Sequence, residues 1–247
     1  MNLDFVDALH LVQQLGVLVK NRPLEHVDVV LAPPFVDLRT VSSVIEAERF
    51  AFHLAAQHVS AFESGAHTGE ISASMLKRLN VSWVIVGHSE RRTQYAMTDD
   101  VVRATLGAVV RSGQHAVLCV GEESAVRDRG HHAEFVASQL RDALDGLEER
   151  FREQVTVAYE PLWAIGSGVT ASPDDVLQMA DSVRAVLRSL SLSSARVLYG
   201  GSVTGENAGL LVRGGGVDGF LVGGASLKAA SFHAILQACD DCYARKR

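Results

Sequence analysis

Val155-Thr156-Val157-Ala158-Tyr159-Glu160-Pro161-Leu162-Trp163-Ala164-Ile165-Gly166-Ser167-Gly168-Val169-Thr170-Ala171-Ser172-Pro173-Asp174-Asp175 contains one full repeat of the fold. Val155–Tyr159 is apolar and β-rich almost without interruption, which suits a strand buried on both faces of a parallel sheet. Pro161 has no N–H, so the ladder stops there and Glu160 falls at the C-terminal end of the strand. Ser172 offers an N-cap, Pro173 a first helical residue, and Asp174-Asp175 the acid favoured in a first turn. A strand, an uncharged rim loop and a helix follow one another, so the unit is βα.

The same unit recurs along the chain. Val27–Ala32, Phe50–Ala56, Trp83–Val86, Ala116–Val120, Arg196–Tyr199 and Gly219–Val222 read as further strands. Amphipathic stretches separate them, and Thr98-Asp99-Asp100 opens a helix as Ser172 does. Alternating strands and helices with no break in composition predict one parallel α/β domain over residues 1–247. An eight-stranded (β/α)8 barrel commonly occupies about 250 residues. The first segment does not add an eighth strand: Phe5, Ala8, Leu9, Val12, Leu15 and Val19 recur at helical spacing, so Leu3–Lys20 reads as a helix. The expectation is a TIM barrel whose first β-strand is absent from this chain, leaving a gap between Val27–Ala32 and Gly219–Val222.

Composition narrows the classes. Of 247 residues, 47% are hydrophobic and 21% charged, which are globular values. No uninterrupted apolar run reaches the roughly 18 residues of a membrane span, and Met1-Asn2-Leu3-Asp4 lacks the basic start of a secretory signal. With 29 acidic against 23 basic residues, the net charge of −6 argues against nucleic acid or an anionic membrane as partner. Three cysteines make no disulfide framework, and a reducing, cytoplasmic setting is expected.

Chemistry gathers at the strand ends. Gly87-His88-Ser89-Glu90-Arg91-Arg92 directly follows Trp83–Val86, placing His88 at the rim where βα loops build active sites. Ser89 and Glu90 read as the start of a helix whose free N–H groups disfavour imidazolium, so a neutral His88 could donate to a substrate carbonyl. Glu160 lies at the same rim, where a partly desolvated carboxylate can act as a general base. The uncharged segment from Pro161 to Ala171 suits a lid that excludes water. Tyr199-Gly200-Gly201-Ser202 and Gly223-Gly224-Ala225-Ser226 each follow a strand, as the two phosphate loops of many barrels do. Cys239-Asp240-Asp241-Cys242 has thioredoxin-like or half-zinc-site spacing, but no second pair or helix-opening context accompanies it, which argues against a redox or metal role.

Taken together, the motifs beginning Gly87-His88-Ser89-Glu90, Tyr159-Glu160-Pro161-Leu162-Trp163-Ala164-Ile165-Gly166, Tyr199-Gly200-Gly201-Ser202-Val203 and Val222-Gly223-Gly224-Ala225-Ser226-Leu227 resemble the triosephosphate isomerase family. The resemblance runs from Met1 to the C-terminal helix, with every motif in family order. It implies a cofactor-independent and metal-free interconversion of dihydroxyacetone phosphate and D-glyceraldehyde 3-phosphate. Glu160 would be the base and His88 the electrophile, with Ser89 and Glu90 in support. Gly166, Ser202, Gly223 and Gly224 would hold the phosphate. Gln57 and the loop Glu63–Glu70, with Thr68 near its tip, resemble the arm that joins two copies into a homodimer.

His67 stands where the family usually has an aromatic such as tyrosine, Ser167 where it has threonine and Leu162 where it has valine. A larger departure lies at the start. The family's first strand ends in Asn-Trp-Lys-Met-Asn, and Met1-Asn2 matches only its last two residues. The motif's lysine has no substitute by position: Lys20 and Lys77 lie at or in helices, Lys228 just after the start of the last helix, and Lys246 in the tail. The alternative function is a catalytically impaired barrel that binds phosphate ligands or serves as a partner subunit. Schiff-base aldolases need a strand-end lysine and metal-dependent epimerases several rim ligands, and neither pattern is present.

Overall fold

The computed structural model describes residues 1–165 and 171–244. Seven parallel strands form one sheet among the described residues: β1 (Val29–Leu31), β2 (Phe52–Ala56), β3 (Val81–Val86), β4 (His115–Val120), β5 (Val155–Tyr159), β6 (Val197–Tyr199) and β7 (Gly219–Phe220). Each pairs with its neighbour in sequence, and the sheet curls as a TIM-barrel wall does. Among the described residues β1 pairs only with β2 and β7 only with β6, so these two are the edges. That agrees with the gap expected from the sequence.

Ten α-helices flank the strands among the described residues: α1 (Phe5–Asn21), α2 (Leu38–Glu48), α3 (Ala73–Lys77), α4 (Ser89–Gln94), α5 (Asp99–Arg111), α6 (Ser124–Asp128), α7 (His132–Leu144), α8 (Pro173–Ser189), α9 (Ala208–Gly214) and α10 (Ala229–Ala244). Asp4 caps α1 through the N–H groups of Val6 and Asp7, which sets its start two residues past the expected one. Ala8, Val12 and Leu15 bury its inner face, whereas Phe5 is exposed. Thr98 caps α5, and Ser172 with Asp175 closes a full capping box on α8. α10 begins at Ala229, so Lys228 precedes the last helix instead of lying within it.

Strand periodicity divides the core into two layers. Val84, Val86, Leu118, Val120, Val157 and Tyr159 point outward into the large cluster shared with the helices. Ile85, Val117, Cys119 and Ala158, with Trp83 and Leu198, form a smaller cluster on the inner face. Because successive side chains alternate, Glu160 continues the inner row of Ala158. The fold thus aims the Glu160 carboxylate inward before any loop contributes. Among the described residues no helix is long and apolar enough to cross a membrane.

Candidate active site

Strand register brings the expected residues to one rim. Val86 pairs with Leu118, Val120 with Tyr159, and Tyr159 with Tyr199, so the ends of β3 to β6 lie side by side. Glu160 extends the ladder by one bond, donating its N–H to the Val120 carbonyl at 2.8 Å. Gly87 then turns the chain with φ of +71°, a left-handed conformation that suits glycine, and His88 caps α4 immediately after it.

His88 Nε2 lies 2.9 Å from Glu160 Oε1, and the Ser89 N–H donates to Glu160 Oε2 at 2.9 Å. Glu160 is 2% exposed and would be costly as an isolated charge; these two donors, one from a helix start, compensate it. The Glu90 N–H donates to His88 Nδ1 at 3.4 Å, which leaves Nε2 as the ring's donor in the neutral state. Burial lowers the His88 pKa, but the hydrogen bond and charge of Glu160, with Glu90 behind it, outweigh burial and leave it raised. The expectation that the helix start alone would favour neutral imidazole is therefore modified: the carboxylate 2.9 Å away is the stronger influence. Beneath the pair, burial and then Glu160 push the Cys119 thiol well up, so it stays protonated.

Two glycines make this approach possible. A Cβ on Gly121 would overlap the Glu160 carbonyl, and one on Gly200 would come within 3.0 Å of Glu160 Cγ. The two Gly-Gly loops expected to bind phosphate start beside them. Tyr199 pairs with Phe220, so Ser202 and Gly223 each lie three residues beyond the same rung. A Cβ at Gly223 or Gly224 would meet nothing within 4 Å among the described residues, and both are exposed. Space for an anion therefore lies directly over their backbone. Ser202 is also exposed, and its carbonyl is held by Asn207 Nδ2 at 3.1 Å. Gly166 lies outside the described residues, as do the other residues from 167 to 170.

The remaining expected residues lie apart from the rim pair. Gln57 is exposed and donates through Nε2 to the Ala32 carbonyl at 2.8 Å. Thr68 is exposed on a loop closed by the Ser60 N–H to Ile71 carbonyl bond of 2.8 Å. His67 stacks on the exposed Phe62 ring with centroids 4.0 Å apart, filling an aromatic role there. Lys20 pairs with Glu48 and Lys77 donates to the Ser112 carbonyl, so both are engaged elsewhere. Cys239 and Cys242 are buried, and Arg213 donates to Cys242 Sγ across the α9–α10 contact.

Sequence reasoning missed a second buried carboxylate. Glu122 lies just beyond β4, is 0% exposed, and accepts from Tyr159 and Trp163. Its signal was present: a charged residue follows a strand and a glycine, at the same rim as His88 and Glu160. Tyr199 was also missed. Its buried hydroxyl has no hydrogen-bond partner among the described residues, and burial followed by Asp175 pushes its pKa up to about 12.

The family model described as triosephosphate isomerase matches residues 1–239. A triosephosphate isomerase of Nocardia farcinica (strain IFM 10152) is 44% identical over 94% of this chain and 90% of its own length. One from Rhodococcus jostii (strain RHA1) is 43% identical with the same coverage. A third, from Corynebacterium glutamicum, is 42% identical over 94% of this chain and 91% of its own.

Proposed function

The chain belongs to the triosephosphate isomerase family and is an isomerase, and from that membership we propose that it interconverts D-glyceraldehyde 3-phosphate and dihydroxyacetone phosphate. A glutamate base with a histidine electrophile is the pairing established for this family. Glu160 takes a proton from the carbon beside the carbonyl, and the electron pair moves onto the carbonyl oxygen to give an enediolate. His88 Nε2–H stabilises that oxygen and passes protons between the two enediolate oxygens. Glu160 then returns the proton to the neighbouring carbon. Backbone N–H groups of Gly166, Ser202, Gly223 and Gly224 hold the phosphate, and closure of the segment after Pro161 keeps the enediolate from expelling it. No metal or cofactor takes part.

The observation that carries this reading is the contact of 2.9 Å between His88 Nε2 and Glu160 Oε1, beside two Gly-Gly loops open to an anion. Gln57 and Thr68, with the exposed Phe62–His67 stack, support a homodimer through the arm they occupy. The setting proposed is cytoplasmic sugar breakdown and synthesis at the triose level. The test supplies D-glyceraldehyde 3-phosphate in heavy water and follows the reaction by proton NMR. Formation of dihydroxyacetone phosphate carrying solvent deuterium is expected. Binding of 2-phosphoglycolate with no conversion would identify a phosphate-binding barrel without turnover.

A further inference from the structure

Glu122 is a fully buried carboxylate that the proposed reaction does not use. Its Oε1 accepts from the Tyr159 hydroxyl at 3.0 Å and from Trp163 Nε1 at 2.9 Å. Its main-chain carbonyl accepts from the Leu162 N–H at 3.1 Å. Tyr159 precedes the base and Leu162 and Trp163 follow it, so one residue grips the chain on both sides of Glu160.

The charge is balanced by a neighbour tied to the same segment. Arg127 Nη1 lies 3.5 Å from Glu122 Oε1, and the guanidinium carbon stands 4.3 Å from the centroid of the Trp163 ring. Arg127 also pairs with Asp175 in the first turn of α8. Packing alone does not account for the carboxylate. Glu122 Oε2 has no hydrogen-bond partner among the described residues, and a buried, partly satisfied carboxylate costs more than an apolar side chain of similar size. What the carboxylate supplies is an acceptor for two donors at once.

We infer that Glu122 is a positioning residue for the base: its hydrogen bonds to Tyr159, Leu162 and Trp163 fix the backbone on both sides of Glu160 and hold the Glu160 carboxylate against His88 and the Ser89 N–H. Arg127 lies against both the Glu122 carboxylate and the Trp163 ring and ties them together. The inference rests on the reading of Glu160 as the base, but the geometry it describes is measurable without turnover.

Glu122→Leu removes both side-chain acceptors, while Glu122→Gln keeps an oxygen able to accept from Tyr159 and Trp163. Glu122→Leu is expected to lower kcat about 100-fold with KM within about threefold, and Glu122→Gln to recover all but about tenfold of it. Tyr159→Phe removes a single donor and serves if Glu122→Leu does not fold; a loss in kcat of about tenfold is expected. In each variant the His88 imidazole is also titrated by NMR. Loss of the Glu160 contact lowers its apparent pKa in Glu122→Leu and Tyr159→Phe, and Glu122→Gln restores it. A folded Glu122→Leu or Tyr159→Phe protein with normal kcat and an unmoved His88 titration would overturn the inference. If the unaltered protein does not turn over triose phosphate, the proposed reaction fails, and the His88 titration alone decides the positioning role.

Discussion

Tyr159 and Tyr199 form a rung of the parallel ladder, and everything that makes the rim a site is measured from that pair. One residue beyond Tyr159 lies Glu160; one and two residues beyond Tyr199 lie the glycines that let Glu160 and the Tyr199 ring pack closely. The register thus places Glu160 beside the Gly200-Gly201 loop through backbone hydrogen bonds alone.

His88→Gln separates a chemical role from a structural one. His88 contacts Glu160 from the helix start of α4, and its loss should slow turnover by about 100-fold with little change in melting temperature. A large fall in melting temperature with near-normal activity per folded molecule would make the histidine structural.

The pH dependence has a definite sign. The His88 pKa is raised above 6.5, because Glu160 and Glu90 together outweigh burial. The protonated pair lacks a neutral electrophile, so kcat/KM should fall as pH drops through a value above 6.5. Glu90→Gln removes one raising charge and should shift this acid limb to lower pH. An unmoved limb in Glu90→Gln would remove His88 as its origin.

Gly223→Val tests where the phosphate binds. Among the described residues no atom lies within 4 Å of the added Cβ, whereas the Gly223 backbone, with φ of −87° and ψ of −112°, lies outside the regions a β-branched residue favours, so the fold should hold with a modestly lower melting temperature. The side chain would fill the space over the backbone, and affinity for 2-phosphoglycolate should fall by at least about 100-fold. Unchanged affinity would place the phosphate elsewhere.

β1 and β7 each leave one side of their backbone outside the ladder, a known route to aggregation. An N-terminal extension of about ten residues, built as a strand and ending in Asn-Trp-Lys before Met1, should pair with both edges and place a cation near the rim. Higher melting temperature and faster turnover are expected side by side with the 247-residue chain. Equal melting and equal rates would show that neither the open edges nor the cation limits this protein.

The strands were legible because burial on both faces leaves a continuous apolar run: β5 spans the residues that the pattern marked. The ends were less so. Phe50 is apolar enough to read as strand, but Arg49 ends α2 in a left-handed turn and the strand begins only at Phe52. Gly219–Val222 shortens to Gly219–Phe220, since an edge strand with one neighbour closes fewer rungs. His88 and Glu160 were legible from strand-end position, and the structure brings them into contact. Glu122 is legible as a charged residue at the same rim, but its contacts are not, because they depend on a shared acceptor between residues far apart in sequence, which no spacing rule encodes.

Glu160 carries the proton transfer of the proposed reaction. In Glu160→Gln the side chain keeps its shape and loses its basicity, so kcat for triose phosphate isomerisation should fall by several orders of magnitude. Affinity for a phosphate analogue should stay within about tenfold, because backbone groups carry most of that binding. Turnover close to that of the unaltered protein would contradict the assignment of Glu160 as the base.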